Sequence, residues 1–241
     1  MKTIIRIILI ISATFTLVGC STYIPPGAKA DLQAFAPKNI QDGFAAKPTN
    51  PFPASIAVVR VQAPAYTNYY LRQNGGQYGT GRYSVILNRE VEESAQFDRI
   101  TSLPKVSGLV SLNRMLLPEQ LNGDGELREA AARLHADLVL IYTFDTVFID
   151  SDAAMPLSVI SLGLSPTRKI TAVTTVSGLL VDTRSGYIYA AYEVTERDRT
   201  ISTSWGSGDA ADAVRRNTEK LAFVKFVDEL SASWPKLISV K

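Results

Sequence analysis

The seven residues Leu138-Val139-Leu140-Ile141-Tyr142-Thr143-Phe144 constrain this chain more than any others. A half-buried strand alternates apolar and polar residues, but here both alternating sets are apolar, so neither face of the strand tolerates water. Such a strand belongs in the middle of a sheet covered on both sides. That points to an α/β (α+β) fold, a single mixed-sheet domain with helices packed on it. The chain has the material for it: 241 residues, 46% hydrophobic and 20% charged, enough for a large core and too apolar for general disorder.

Around this run the pattern predicts a first strand at 55–61, rich in β-branched residues and bounded by prolines. Apolar spacing then predicts a helix over 83–95, and Pro104 closes a short strand at 97–103. Asp124 is a good N-cap for a helix over 126–135 whose Leu127, Ala130, Ala131 and Leu134 face one way. Two extended runs, 170–181 and 187–194, flank Asp182-Thr183-Arg184-Ser185-Gly186 and read as a hairpin. A long helix over 209–234 carries Val214, Leu221, Val224, Val227, Leu230 and Trp234 at helical period, and Pro235 is expected to stop it. Together these define one mixed α/β domain over 54–241.

Upstream, residues 20–53 hold six prolines and read as an extended tether, with docking of Leu32, Phe35, Ile40 and Phe44 on the domain as the alternative. Residues 1–19 have the layout of a signal peptide: Lys2 and Arg6, then an apolar region of about a dozen residues, too short for an ordinary membrane-spanning helix. The segment ends in Leu17-Val18-Gly19-Cys20, which resembles the bacterial lipobox. The resemblance implies cleavage between Gly19 and Cys20 and a lipid anchor on Cys20. It also implies sorting by Ser21 to the outer membrane, with the domain facing the periplasm. Lipid chains contribute about 0.8 kcal/mol per buried CH₂, so two or three of them hold a protein to a bilayer almost permanently.

Composition removes several classes of chemistry. The chain's only cysteine is Cys20 and its only histidine is His135, which leaves no disulfide framework and no Cys/His metal cluster. Without Lys2 and Arg6 the chain has 23 basic and 23 acidic residues, so no field favours nucleic acid. Gly75-Gly76-x-x-Gly79-x-Gly81 lacks the Lys-Ser/Thr of a phosphate loop and reads as a mobile loop. His135, at a helix C-terminus, is expected to be structural. Asp145, Asp150 and Asp152 lack the glycine-bearing ligand loop of an EF-hand and read as a solvated loop. No catalytic residue, metal or cofactor is expected.

The unusual segment is 153–166, uncharged over fourteen residues between two strands. Its Met155, Leu157, Val159, Ile160, Leu162 and Leu164 either close over the sheet as core or form an interface with a partner or membrane.

Two stretches carry a further resemblance: Ala132-Arg133-Leu134-His135-Ala136-Asp137-Leu138-Val139-Leu140-Ile141 and Val181-Asp182-Thr183-Arg184-Ser185-Gly186-Tyr187-Ile188-Tyr189. "Ala-Asp-apolar strand" followed by "Val-Asp-Thr-Arg-Ser-Gly" resembles the periplasmic α/β domain shared by the curli-secretion lipoprotein CsgG, the LpoB activator and the N-terminal domain of TolB. The lipobox, Met155-Pro156-Leu157-Ser158 and the Asp-Thr-Arg-Ser turn are also similar to rhombotarget lipoproteins. The resemblance implies fold and place: a non-enzymatic outer-membrane lipoprotein that works by envelope assembly or protein interaction. Its partners would be the membrane and other envelope proteins, or further copies of itself. The alternative is an oligomeric subunit of a secretion apparatus resembling the curli-secretion lipoprotein.

Overall fold

The computed structural model describes residues 29–36, 39–49, 52–152, 167–203 and 207–239. Its main sheet is built from β1 (Ala54–Gln62), β2 (Gln77–Tyr78), β4 (Ser84–Ile86), β5 (Val106–Ser111), β7 (Leu138–Asp152), β8 (Thr167–Asp182) and β9 (Ile188–Thr203). The order is β2-β4-β1-β7-β8-β9, with β5 also on β1. β7 and β5 run parallel to β1, while β4, β8 and β9 join antiparallel to their neighbours. A two-stranded parallel pair, β3 (Thr80–Gly81) with β6 (Gln120–Leu121), lies apart. The helices are α1 (Ile40–Ala45), α2 (Tyr69–Asn74), α3 (Ser94–Thr101), α4 (Asp124–Arg133) and α5 (Ser207–Leu237).

The two-sided burial of β7 explains this arrangement. Leu138, Leu140, Tyr142 and Phe144 point into one core, with Ile56 and Val58 of β1. α5 covers them with Phe223, Phe226, Val227, Leu230 and Trp234, and α3 adds Phe97 and Ile100. Val139 and Ile141 point the other way with Ala57, Val59 and Val61, under Leu127, Ala130 and Ala131 of α4. Gly178 lets α5 settle on the sheet: a Cβ there would stand 2.6 Å from the Phe226 ring.

The second core has a member from upstream. Ala30, Ala34 and Phe35 are buried in it, Phe35 meeting Tyr83 at 4.9 Å between ring centroids. Part of the segment expected to be a tether is therefore fastened to the domain, while Ile40 and Phe44 stay exposed. Asp182 fastens it again, accepting from the Thr49 N–H and hydroxyl at 2.8 and 2.9 Å. Burial tends to raise this carboxyl, and the bonds from Thr49, Ser185 and Arg184 outweigh that and hold it below the ordinary aspartate value.

Several local expectations are corrected. Residues 83–95 are not a helix. Ser84–Ile86 pairs with β1, and the helix starts only at Ser94. The expected strand at 97–103 is instead most of α3, whose Gln96, Phe97 and Ile100 share a buried face at helical spacing. Pro235 does not stop α5, because Trp234 and Leu237 on either side of it are both buried and hold the last turn. The stripe on α5 also differs: Leu221 is exposed, and Ala222, Phe223 and Phe226 fill the core. β5 is a strand that sequence pattern did not suggest. The hairpin of β8 and β9 is as expected but longer, and Gly186 sits in its turn at φ 73°.

The glycine-rich stretch is ordered structure rather than a mobile loop. Gly79 and Gly81 have positive φ, and their missing side chains admit Leu121 of β6, whose atoms would stand 2.3 and 2.6 Å from an added Cβ. The Asp145–Asp152 stretch lies within β7, and Asp145 faces Lys29 at 3.7 Å.

His135 closes α4 in a left-handed conformation at φ 55°. Its N–H bonds Ala132 O at 3.0 Å and the Ala136 N–H bonds Ala131 O at 2.9 Å, the two bonds of a Schellman cap. A side chain in this region costs about 1 kcal/mol that glycine avoids. His135→Gly is therefore expected to raise stability by about 0.5–1 kcal/mol in denaturant unfolding; a loss would contradict the cap. Leu140→Asp, with a charge between two covers, is expected to prevent folding, since an unpaired buried charge costs several kcal/mol, comparable to a domain's whole stability. A cooperative melt of that variant would refute the two-sided burial.

Candidate functional site

Sequence reasoning did not anticipate the most concentrated polar chemistry in the molecule, a chain of buried charges between α5 and the sheet. Arg60 reaches out from β1 with 4% of its surface exposed and gives its Nη1 to Glu92 at 3.3 Å and its Nη2 to the Tyr66 hydroxyl at 2.9 Å. Asn68 bonds the same hydroxyl and Glu90, each at 3.1 Å. Glu90 accepts from Arg215 of α5 at 2.6 Å, and Arg215, wholly buried, also holds Glu219 at 2.8 Å and Asp212 at 2.9 Å. Glu219 continues to Thr146 on β7 and thence Thr174 on β8, each at 3.0 Å.

Within this cluster Arg60, Arg215 and Arg216 face Glu90, Glu92, Glu219 and Asp212, one carboxylate more than the arginines balance. Burial lifts the Glu219 carboxyl above the ordinary glutamate value, although Arg215 and Arg60 pull it down. Burial likewise pushes Tyr142 well above the usual tyrosine value, so its hydroxyl stays neutral and donates to Glu92 at 3.1 Å.

The Arg60 end opens on a crevice. β5 holds the edge of β1 along Ala54–Val58 and β4 holds it along Arg60–Gln62, so the two strands part beside Val59. A cavity of about 410 Å³ lies there, lined by Arg60, Asn88, Arg89, Glu92 and Ser111 among others. Arg60 lies over the Phe144 ring at 4.4 Å, and its Nε has no hydrogen-bond partner among the described residues.

A second, apolar groove of about 350 Å³ lies on the sheet face opposite α5. Leu32 and Phe35 form one wall, and Val61, Ile141, Leu179 and Ile188 belong to its floor. On the same face, farther along β7, Val147 and Ile149 are exposed.

The residues singled out from sequence, Gly19, Cys20, Ser21, Met155, Leu157, Val159, Ile160, Leu162 and Leu164, lie outside the described residues. β7 and β8 are paired from Leu138–Asp182 to Asp152–Arg168. His135 is exposed and acts through its backbone, its carbonyl accepting from Ser55 Oγ at 2.9 Å. Among the described residues no three His, Cys, Asp or Glu side chains are grouped to hold a metal ion, and no helix is long and apolar enough to cross a membrane.

No protein-family model and no curated protein matches the chain. Among solved structures, it is similar to a neuraminyllactose-binding hemagglutinin homolog from Helicobacter pylori at 13% identity and a TM-score of 0.37, over 81% of this chain and 96% of that one. A DUF330 protein from Xanthomonas campestris gives 11% and 0.34, over 90% and 98%. Lipoprotein GNA1162 from Neisseria meningitidis gives 16% and 0.27, over 68% and 97%. Likeness at this level is loose and lends the chain none of these proteins' properties.

The raised Glu219 carboxyl sets a pH dependence. A group titrating higher in the folded than in the unfolded state favours folding most below its unfolded value, and that contribution is lost as pH rises through its folded value. Glu219→Gln removes the titration. The stability of the native sequence minus that of this variant is thus expected to be greatest in mild acid and to fall toward neutral pH. A difference independent of pH in urea unfolding would exclude this role.

Proposed function

We propose that this chain is a bacterial envelope lipoprotein, anchored to the outer membrane through Cys20, whose folded domain binds other envelope proteins and does not catalyse a reaction. The observation that carries the reading is the position of the chain's only cysteine, at Leu17-Val18-Gly19-Cys20, directly after a charged and then apolar leader. The domain supports it in two ways. Its concentrated ionisable groups are engaged with one another in a buried network, Arg60–Glu92 and Arg215–Glu90–Glu219, instead of converging on a nucleophile. Its sheet face offers the apolar groove at Phe35 and Leu179 and, separately, the exposed Val147 and Ile149, and exposed apolar surface of this kind marks contact sites. The sharper likeness to the curli-secretion group, drawn from 132–141 and 181–189, belongs to the same proposal.

The test is metabolic labelling with palmitate followed by separation of inner and outer membranes. The native chain is expected to be labelled and to travel with the outer membrane, and Cys20→Ser to be an unlabelled, unprocessed precursor. Labelled and processed Cys20→Ser protein would remove the anchor, and native protein in the soluble fraction would remove the location.

A further inference from the structure

Among the described residues β9 is the outermost strand of the sheet and is sixteen residues long, Ile188–Thr203. A strand in this position presents a row of unpaired backbone N–H and C=O groups, and proteins commonly protect such edges with proline, short strands or charges of one sign. β9 has no proline, is long, and carries both signs: Glu193, Glu196, Arg197, Asp198 and Arg199.

The order of these charges is informative. Two copies of one strand related by a two-fold axis through the sheet pair antiparallel, and residues directly opposite share a face. With the axis at Thr195, Glu193 of each copy lies opposite Arg197 of the other and Thr195 lies opposite itself. Glu193, Thr195 and Arg197 are all exposed on the face away from α5. Moving the axis to Glu196 opposes two glutamates, and moving it to Arg197 opposes two arginines and sets Glu196 against Asp198. Of these three registers, only the one centred on Thr195 has no like-charge pair, and like charges directly opposite destabilise a sheet.

The helix layer fits the same contact. Asn217 and Lys225 of α5 bond Asp198 and Glu196 of β9, so the flank of α5 between them looks toward the open edge. That flank carries Leu221, 42% exposed. α5 packs on both β8 and β9. With strands about 4.8 Å apart, the partner helix would lie roughly 10 Å away, the usual distance between packed helices.

From the open β9 edge, its self-complementary charges and the exposed flank of α5, we infer that the protein forms a two-fold dimer by antiparallel pairing of β9 with β9 of a second copy, centred on Thr195. The occupant of this edge is another copy of the same chain. The contact is isologous and closes at two subunits, so it does not by itself build a ring. It does not depend on the anchor.

The test uses the full chain purified in detergent. Opposed Cα atoms in a sheet stand about 4.5–5.5 Å apart, within disulfide reach. Thr195→Cys is therefore expected to give a disulfide-linked dimer under mild oxidation. Arg197→Cys is expected to give several-fold less, because its two copies would lie four residues apart along the strands. In the Thr195→Cys background, Glu193→Arg or Arg197→Glu alone should reduce cross-linking at least several-fold. The two together should restore it, and the two single variants mixed should cross-link with each other. Absence of a Thr195→Cys dimer, equal cross-linking at 197, cross-links to a different protein, or no rescue by the double reversal would each overturn the inference.

Discussion

Everything in this fold follows from burying one strand on both of its faces. β7 leaves Leu138, Leu140 and Phe144 on one side and Val139 and Ile141 on the other, all at most 2% exposed. The chain must therefore supply two separate covers, and it draws them from distant parts of the sequence. α5 comes last and closes one core, while α4 and the upstream Ala30–Phe35 stretch close the other. Both covers have to be in place before the central strand is dry on both sides. The sheet, its two cores and the terminal helix thus form one cooperative unit.

Against that apolar logic, the Arg215 cluster looks costly. Removing several charges from water carries a penalty that pairing alone only partly offsets, and such clusters often add little net stability. What the cluster supplies is position. Greasy contacts would tolerate α5 sliding along the sheet by a turn, but Arg215, braced by Asp212 and Glu219 of the same helix, reaches Glu90 in only one register. Glu219 then fixes that register to β7 and β8 through Thr146 and Thr174. The network is better understood as a locating pin for a long amphipathic helix than as a source of binding energy.

The parts of the fold legible in the sequence were those set by an unbroken pattern. The central run, the hairpin with Gly186 in its turn, and α4 with its small apolar face all announce themselves locally. Residues 83–101 did not, because three-residue β4 exists only through its pairing with β1, and the helical spacing of Phe97 and Ile100 is too short a pattern to tell from a strand. The site was less legible still. Arg60 sits inside a strand that otherwise reads as apolar, and Glu90, Glu92, Arg215 and Glu219 are spread over more than a hundred residues. A charged residue within an apolar strand was the one available sign, since it must find a buried partner. The lipobox-like string Leu17-Val18-Gly19-Cys20, by contrast, is a linear pattern whose proposed role needs no fold.

The docking of Ala30 changes how far such a protein reaches. A chain of n residues spans at most about 3.6 Å for each. Had the domain begun at Ala54, thirty-four residues after Cys20, it could have ranged more than about 100 Å from a membrane holding that cysteine. Ala30 is buried in the second core and its N–H bonds Thr143 on the central strand at 3.2 Å, so this fixed point stands only ten residues after Cys20, a reach of at most about 36 Å. A lipidated form would be a close-held protein, its sheet kept within roughly one domain's width of the lipid headgroups and able to meet only what lies near the same leaflet.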